Sequence, residues 1–311
     1  MLPGETEANQ SLLVSIVLCT YNGEEYIAEQ LDSICNQRYR NLEIIVCDDA
    51  STDDTVMILS RFAAKDPRIQ LEKNNENLGF TNNFNKAVSA ATGAIVGFAD
   101  QDDIWHPDKI TRLLANWPPE SSLVYCNSVR FSNEAEKDWN RKENRGYRRF
   151  EGTDLRKIAL FNTVSGHALL MRRELIAAVF PVPEGLVYDW YAAAVAACSG
   201  GVTYWPQTLV LQRVHAANTT VNGGYEFRKG QNNHSFKCLV DRHLKAFQQL
   251  PGPHRKFMQR LSLLWHGALA EPFSRRLFLF IARNQKILLW KKKKVGGLLS
   301  RVKLAYRLVK S

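Results

Sequence analysis

The chain has 311 residues, 45% of them apolar and 23% charged, which is ample for a packed core in one large domain or two smaller ones. Its net charge of +10 is unevenly placed: the segment from Pro272 onward holds 12 Lys or Arg and no acidic residue, so the rest of the chain is slightly acidic. This excludes a nucleic-acid-binding body, whose basic surface would run through the fold, and marks a basic interaction segment attached to a near-neutral one.

Residues 1–10 (MLPGETEANQ) are polar and acidic and read as a flexible N-terminus rather than a signal peptide. The six cysteines, at 19, 35, 47, 126, 198 and 238, show no CxxC or ligand spacing, so reduced thiols in a cytosolic setting are expected. No apolar run has the length needed to cross a bilayer.

Leu12–Leu18 (LLVSIVL) is a continuous apolar run of strand length, which suits a buried parallel strand, and it ends at the polar loop Cys19–Gly23. Glu24–Asn36 has helical spacing. Leu42–Cys47 (LEIIVC) predicts a second strand ending at Asp48-Asp49, and Ser51 or Thr52 is placed to cap a helix over Val56–Phe62. A short strand at Ile69–Leu71, a turn-rich loop at Asn74–Phe80 and a helix at Thr81–Ala91 follow. Ile95–Ala99 is a fourth strand, and it breaks into Asp100, Asp102 and Asp103. This strand–helix alternation predicts an α/β fold with a mostly parallel central sheet flanked by helices. Three strands then deliver polar residues to one edge, where ligands of open α/β sheets gather. The three carboxylates fit either a solvated turn or a site for a hard divalent cation such as Mg²⁺ or Mn²⁺. Neither GxGxxG nor GxxxxGK[ST] is present, so a glycine-rich phosphate cradle is not expected.

In the second half, Leu123–Asn127 reads as a strand, Phe131–Arg149 as a charged surface excursion and Arg173–Phe180 as a short helix. Asp189 opens a helix running from Trp190 to about Cys198, where it fits either a helix cap or a general base. Val202–Tyr204 and Leu209–Val214 read as closing strands, followed by Asn218, Thr219 and Thr220. Arg213 and His215 share a face if extended, as a diphosphate-holding pair or as a surface pair. Helices are expected at Lys237–Leu250, His254–Ala270, Arg275–Trp290 and Leu298–Val309. Leu, Phe and Trp beside Lys291–Lys294 fit a helix lying on an anionic membrane surface, or one packed on the domain with its lysines in water.

Taken together, VSIVLCTYNGEEYI, EIIVCDDASTDDT, NENLGFTNNFNKAVSAATG, FADQDDIWHPDKI and a late DW resemble the family 2 glycosyltransferases, over residues 12 to about 220. The resemblance is to bacterial enzymes that build O-antigen, capsule and other surface polysaccharides, rhamnosyltransferase-like members among them. It implies a GT-A nucleotide-diphospho-sugar transferase fold over residues 11–228; the basic helical extension expected over 229–311 lies outside the part that carries the resemblance. It implies inverting transfer from a UDP- or dTDP-sugar to a hydroxyl acceptor with Mg²⁺ or Mn²⁺. Carried onto this chain, Thr20 and Tyr21 lie against the nucleotide, Asp49 bonds the pyrimidine ring and Asp100 sits near the ribose. Asp102 is the direct metal ligand, Arg213 and His215 face the diphosphate, and Asp189 is the base. Asp103, Trp105, Ser165, Gly166, His167 and Trp190 fall on the acceptor or sugar side. Tyr188-Asp189 stands where many members have Glu-Asp. The expected acceptor is a lipid-linked glycan, met by a protein peripheral to the inner face of the cell membrane. A soluble or protein acceptor, or a non-catalytic nucleotide-sugar-binding subunit, are the competing readings. A processive synthase would add a transmembrane bundle and QxxRW, and a nucleotidyltransferase a glycine-rich loop where this chain has CTYNGEE.

Overall fold

The computed structural model describes residues 12–141, 148–216, 234–291 and 297–310. The N-terminal ten residues, residues 142–147 of the charged excursion, Asn218 to Thr220, the 228/229 boundary and Lys292 to Lys294 lie outside the described residues.

Strands β1 (Val14–Thr20), β2 (Leu42–Asp48), β3 (Ile69–Lys73) and β4 (Ile95–Ala99) alternate with helices α1 (Ile27–Cys35), α2 (Thr55–Ala63) and α3 (Phe80–Ser89). These four strands are mutually parallel in the order β3-β2-β1-β4, so Thr20, Asp48 and Ala99 end at one edge. The sheet continues as β7-β6-β8-β5, with β5 Ile104–Trp105, β6 Leu123–Phe131, β7 Leu169–Arg172 and β8 Val202–Arg213. β7 runs antiparallel to both β4 and β6, and β8 runs parallel to β6. The mostly parallel sheet with flanking helices agrees with the α/β expectation.

Alternate strand residues face opposite sides, which is why β1 and β2 are apolar throughout. Val14, Ile16 and Leu18 pack with α1, α2 and α4 (Lys109–Ala115) on one face. Val17, Ile45, Val96 and Phe98 pack with α3, α5 (Arg173–Val179) and α6 (Tyr188–Cys198) on the other. Helix α6 is buried nearly all round, and its run of alanines lets it approach the sheet closely.

Two expected strands are one: β8 is continuous from Val202 to Arg213, and its register against β6 shifts between Trp205 and Thr208. Pro206, which has no N–H to give, sits inside that irregularity. Neither Ser51 nor Thr52 caps α2; Ser51 turns back, its backbone N–H and its hydroxyl both donating to the Asp48 carboxylate.

The tail forms α7 (His234–Phe247), α8 (Arg255–Ala268), α9 (Arg275–Arg283), α10 (Gln285–Leu288) and α11 (Gly297–Val309). The expected single helix over 275–290 is interrupted at Asn284, whose side chain donates to the Phe280 carbonyl. Leu277, Ile281, Leu288 and Leu308 join the same core cluster as α6, so most of the tail's apolar stripe is turned inward. Phe273, Leu279 and Tyr306 remain exposed. No helix among the described residues is long and apolar enough to cross a membrane.

Candidate active site

The site lies beyond the carboxyl ends of β1, β2 and β4. Two loops interlock there: Asn22 N–H donates to Ser51, Thr52 N–H to the Asn22 side chain, and Gly23 N–H to Thr55. Asn22 and Ala50 both take positive φ, 46° and 61°, to make these turns. Gln101 pins the first loop to the acidic turn, accepting from Tyr21 N–H at 2.8 Å and donating to Tyr21 O at 3.1 Å. That strut was not read from the sequence, since the middle residue of DQD carries no charge.

Several expected ligand-facing groups are engaged inside the protein. Thr20 is buried, and its hydroxyl donates to Asp48 rather than standing open to a nucleotide. Asp49 is buried and accepts from Asn74 Nδ2, Leu78 N–H and Gly79 N–H, which fixes the 74–79 loop. Tyr21 remains 46% exposed on this side.

The acidic turn itself is split. Asp102 Oδ2 pairs with His215 Nε2 at 2.8 Å. Arg213 donates from Nε to Asp102 O at 3.0 Å and from its backbone N–H to Asp103 Oδ1 at 3.1 Å. Its guanidinium also pairs with Glu29 and lies between the rings of Tyr26 and Phe131. Thus Arg213 and His215 do reach the acidic turn, where they brace it.

Asp100, Asp103 and His167 form the convergent group, their ligand atoms all within 4.8 Å of one another. His167 Nδ1 stands 3.4 Å from Asp100 Oδ2 and 3.5 Å from Asp103 Oδ2. Among the described residues, Asp103 Oδ2 and His167 Nε2 are buried without a hydrogen-bond partner. Burial, then Asp100 and Asp102, push the Asp103 carboxyl well above the usual carboxylate range. An unmatched carboxylate oxygen beside a second acid and an imidazole is the donor set of Mg²⁺ or Mn²⁺, so these residues fit such a cation. The expected ligand Asp102 is not in this group, because His215 occupies its carboxylate; burial and Asp100 raise its pKa against that pairing.

Beneath the group, Lys109 is buried, donates to His167 O at 2.6 Å and lies 3.1 Å over the Trp105 ring. Burial lowers its pKa to about 7. Trp105 is therefore a core residue under the site, 1% exposed, and not an acceptor-side wall. Trp190 is likewise core: its Nε1 donates to Ile158 O and its ring stacks on His243.

Asp189 sits in the first turn of α6, two residues after the N-cap residue Val187. Its carboxylate accepts from Asn162 Nδ2 at 2.9 Å and from Gly166 N–H at 3.1 Å. The Gly166–Ala168 turn therefore carries Asp189 on one side and His167, with the acids, on the next residue; Ser165 precedes it, half-buried. Desolvation raises Asp189 to about 7, with Asp100 adding and the Gly166 and Asn162 hydrogen bonds opposing. A carboxylate at that value, one residue from the acid–imidazole group, is suited to accepting a proton near neutral pH.

The family model described as "Glycosyl transferase family 2" matches residues 15–180, more than half the chain. The chain belongs to that family. It is 43% identical over 102 residues to an uncharacterized glycosyltransferase of Haemophilus influenzae, 33% of this chain and 32% of that one. It is 42% identical over 99 residues to the UDP-Glc:alpha-D-GlcNAc-diphosphoundecaprenol beta-1,3-glucosyltransferase WfaP of Escherichia coli, 32% of this chain and 39% of that one. The chain thus spans about a third of the length of these curated relatives. In structure it is similar to S. aureus TarS 1-349 in complex with UDP-GlcNAc, with a TM-score of 0.61, 17% identity, and coverage of 94% and 89% of the two chains. It is also similar to the mannosyltransferase PcManGT from Pyrobaculum calidifontis in complex with GDP-Man and Mn2+, with a TM-score of 0.53, 19% identity, and coverage of 96% and 85%. These likenesses establish the GT-A fold with its helical C-terminal extension.

Proposed function

We propose that this family 2 member is an inverting glycosyltransferase that moves a sugar from a nucleoside-diphosphate donor to a hydroxyl acceptor. The observation that carries the reading is Asp189, a carboxylate raised to about 7 and held one residue from the Asp100, Asp103 and His167 group. Asp189 takes the acceptor hydroxyl's proton as that oxygen attacks the anomeric carbon opposite the leaving diphosphate, so one displacement inverts the centre. Asp100, Asp103 and His167 would hold Mg²⁺ or Mn²⁺, which when bound offsets charge on the diphosphate. Tyr21, exposed beside the interlocked loops, receives the base. Named relatives that act on UDP-glucose and bind UDP-GlcNAc or GDP-mannose support a nucleotide-sugar donor.

The acceptor in this reading is a lipid-linked glycan, and the protein is peripheral at the cytoplasmic face of the cell membrane. Exposed Phe273, Leu279 and Tyr306 beside Arg275, Arg276, Lys303 and Arg307 support contact with an anionic surface. Removing the tail would strip the shared core, so substitution is the cleaner test. Replacing Leu279 by Ser together with Arg276→Glu and Arg307→Glu should release the protein from phosphatidylglycerol vesicles in a sedimentation assay. Unchanged sedimentation refutes the membrane contact. For the reaction, a screen of UDP-, dTDP- and GDP-sugars with Mn²⁺ and bacterial lipid extracts should give sugar incorporation by wild type and none by Asp189→Asn. Equal incorporation by both removes Asp189 from its role.

A further inference from the structure

Tyr188 stands between the two halves of this site and is used by neither. Its ring is fixed by aromatic neighbours: Phe84 at 5.1 Å between centroids, Phe98 at 5.2 Å and Phe80 at 5.9 Å. Phe98 lies two residues before Asp100 on β4, and Tyr188 immediately precedes Asp189 on α6, so the ring bridges the acid-bearing strand and the base-bearing helix. The hydroxyl lies against the backbone of Gly166, where any Cβ would overlap it. Tyr188 is 4% exposed, and among the described residues its hydroxyl makes no hydrogen bond to the protein. A phenol held by its ring, with no protein partner for its hydroxyl, keeps that donor available to a ligand.

Resting on the transferase reading above, we propose that Tyr188 is a specificity-determining residue whose hydroxyl donates a hydrogen bond to an oxygen of the transferred sugar. The sugar in an in-line displacement must lie between the leaving diphosphate, on the Asp100 side, and the base, Asp189. A donor fixed between those two carboxylates faces the sugar and not the nucleotide. Burial, followed by Asp100 and Asp189, keeps the phenol protonated well above its usual range, so it donates at any working pH. A fixed donor here selects among sugars by which of their oxygens it meets, while Asp189 keeps its own role.

The test separates sugar from nucleotide. Titration calorimetry with Mn²⁺ is run on wild type and Tyr188→Phe with the pairs UDP and UDP-glucose, dTDP and dTDP-rhamnose, and GDP and GDP-mannose. The Phe ring keeps the aromatic stack, so the melting temperature should hold. The variant should bind the nucleoside diphosphate as wild type does and its sugar conjugate about three- to tenfold more weakly, the worth of one neutral hydrogen bond. Equal loss for nucleotide and conjugate, or no loss for either, overturns the assignment of Tyr188 alone. No binding of any pair by wild type sinks the donor reading and this inference with it.

Discussion

Both edges of the parallel sheet bury carboxylates, and Glu43 at one and Asp103 at the other are treated oppositely. At the amino edge, Glu43 on β2 accepts from the Ser15 hydroxyl, the Thr92 N–H and hydroxyl, and Gly93 N–H. Burial raises its pKa, but these hydrogen bonds outweigh it and hold the group below its ordinary value. At the carboxyl edge, Asp103 accepts one backbone hydrogen bond on Oδ1 and none on Oδ2, and its pKa rises instead. Glu43 is completed by the protein, as Asp48 and Asp49 are at the far edge, whereas Asp103 is left incomplete. The completed acid supplies stability, whereas the incomplete one is an interaction reserved for a ligand.

Breaking this contrast at Asp189 should have the largest effect. Asp189→Asn keeps the shape and removes the base, so kcat should fall by about 10²- to 10⁴-fold with donor affinity unchanged, measured by single-turnover assay and by calorimetry. At the amino edge the loss is one of folding. Glu43→Ala leaves the Thr92 and Gly93 N–H groups without an acceptor and should cost on the order of 2–4 kcal/mol in urea unfolding, with the cleft chemistry intact in the folded fraction. A loss of activity without a loss of stability there would dissolve the distinction between the edges.

This division was only half legible in the sequence. LLVSIVL and LEIIVC announce buried parallel strands, because only a strand covered on both faces is apolar throughout. DQDD after such a strand announces an acidic edge. Which of those acids is left unmet depends on partners far along the chain: His215 takes Asp102, and His167 turns toward Asp103. Neither pairing has a local signature. Trp105 and Trp190 look like cleft aromatics by their neighbours in the chain, yet each is held in the core by a contact the sequence does not display, Lys109 and His243. The tail shows the same limit: its apolar stripe fits a bilayer surface as well as a domain core, and it is largely spent on the core.

A pH profile sharpens the carboxyl-edge half. Asp189 must be ionised to act, and its pKa is raised to about 7, so kcat should fall about tenfold per unit as pH drops below the midpoint. Bound Mn²⁺ beside Asp100 cancels part of the repulsion that raises it, so the midpoint should lie no higher than about 7 and shift down with metal. Stability runs the other way. The folded form keeps a proton that the unfolded chain releases near pH 4, so this group's contribution declines as pH rises from about 4 to about 7. Asp189→Asn should flatten both dependences.

The smallest effect is the most discriminating, because it moves stability and function in opposite directions. Asp103→Asn replaces a buried, poorly matched carboxylate by a neutral amide of the same size. Without divalent cation this should raise the melting temperature by a few degrees, since the repulsion from Asp100 and Asp102 and the desolvation of a charge disappear. With Mn²⁺ the order should reverse. Wild type gains stability from binding, whereas the variant, lacking one ligand charge, gains less and binds the ion at least tenfold more weakly by calorimetry. Glu43→Gln under the same two conditions should lower stability equally in both, because no ligand completes that edge. If Asp103→Asn lowered stability without metal, Oδ2 would have a protein partner after all, and the two edges would not differ in kind.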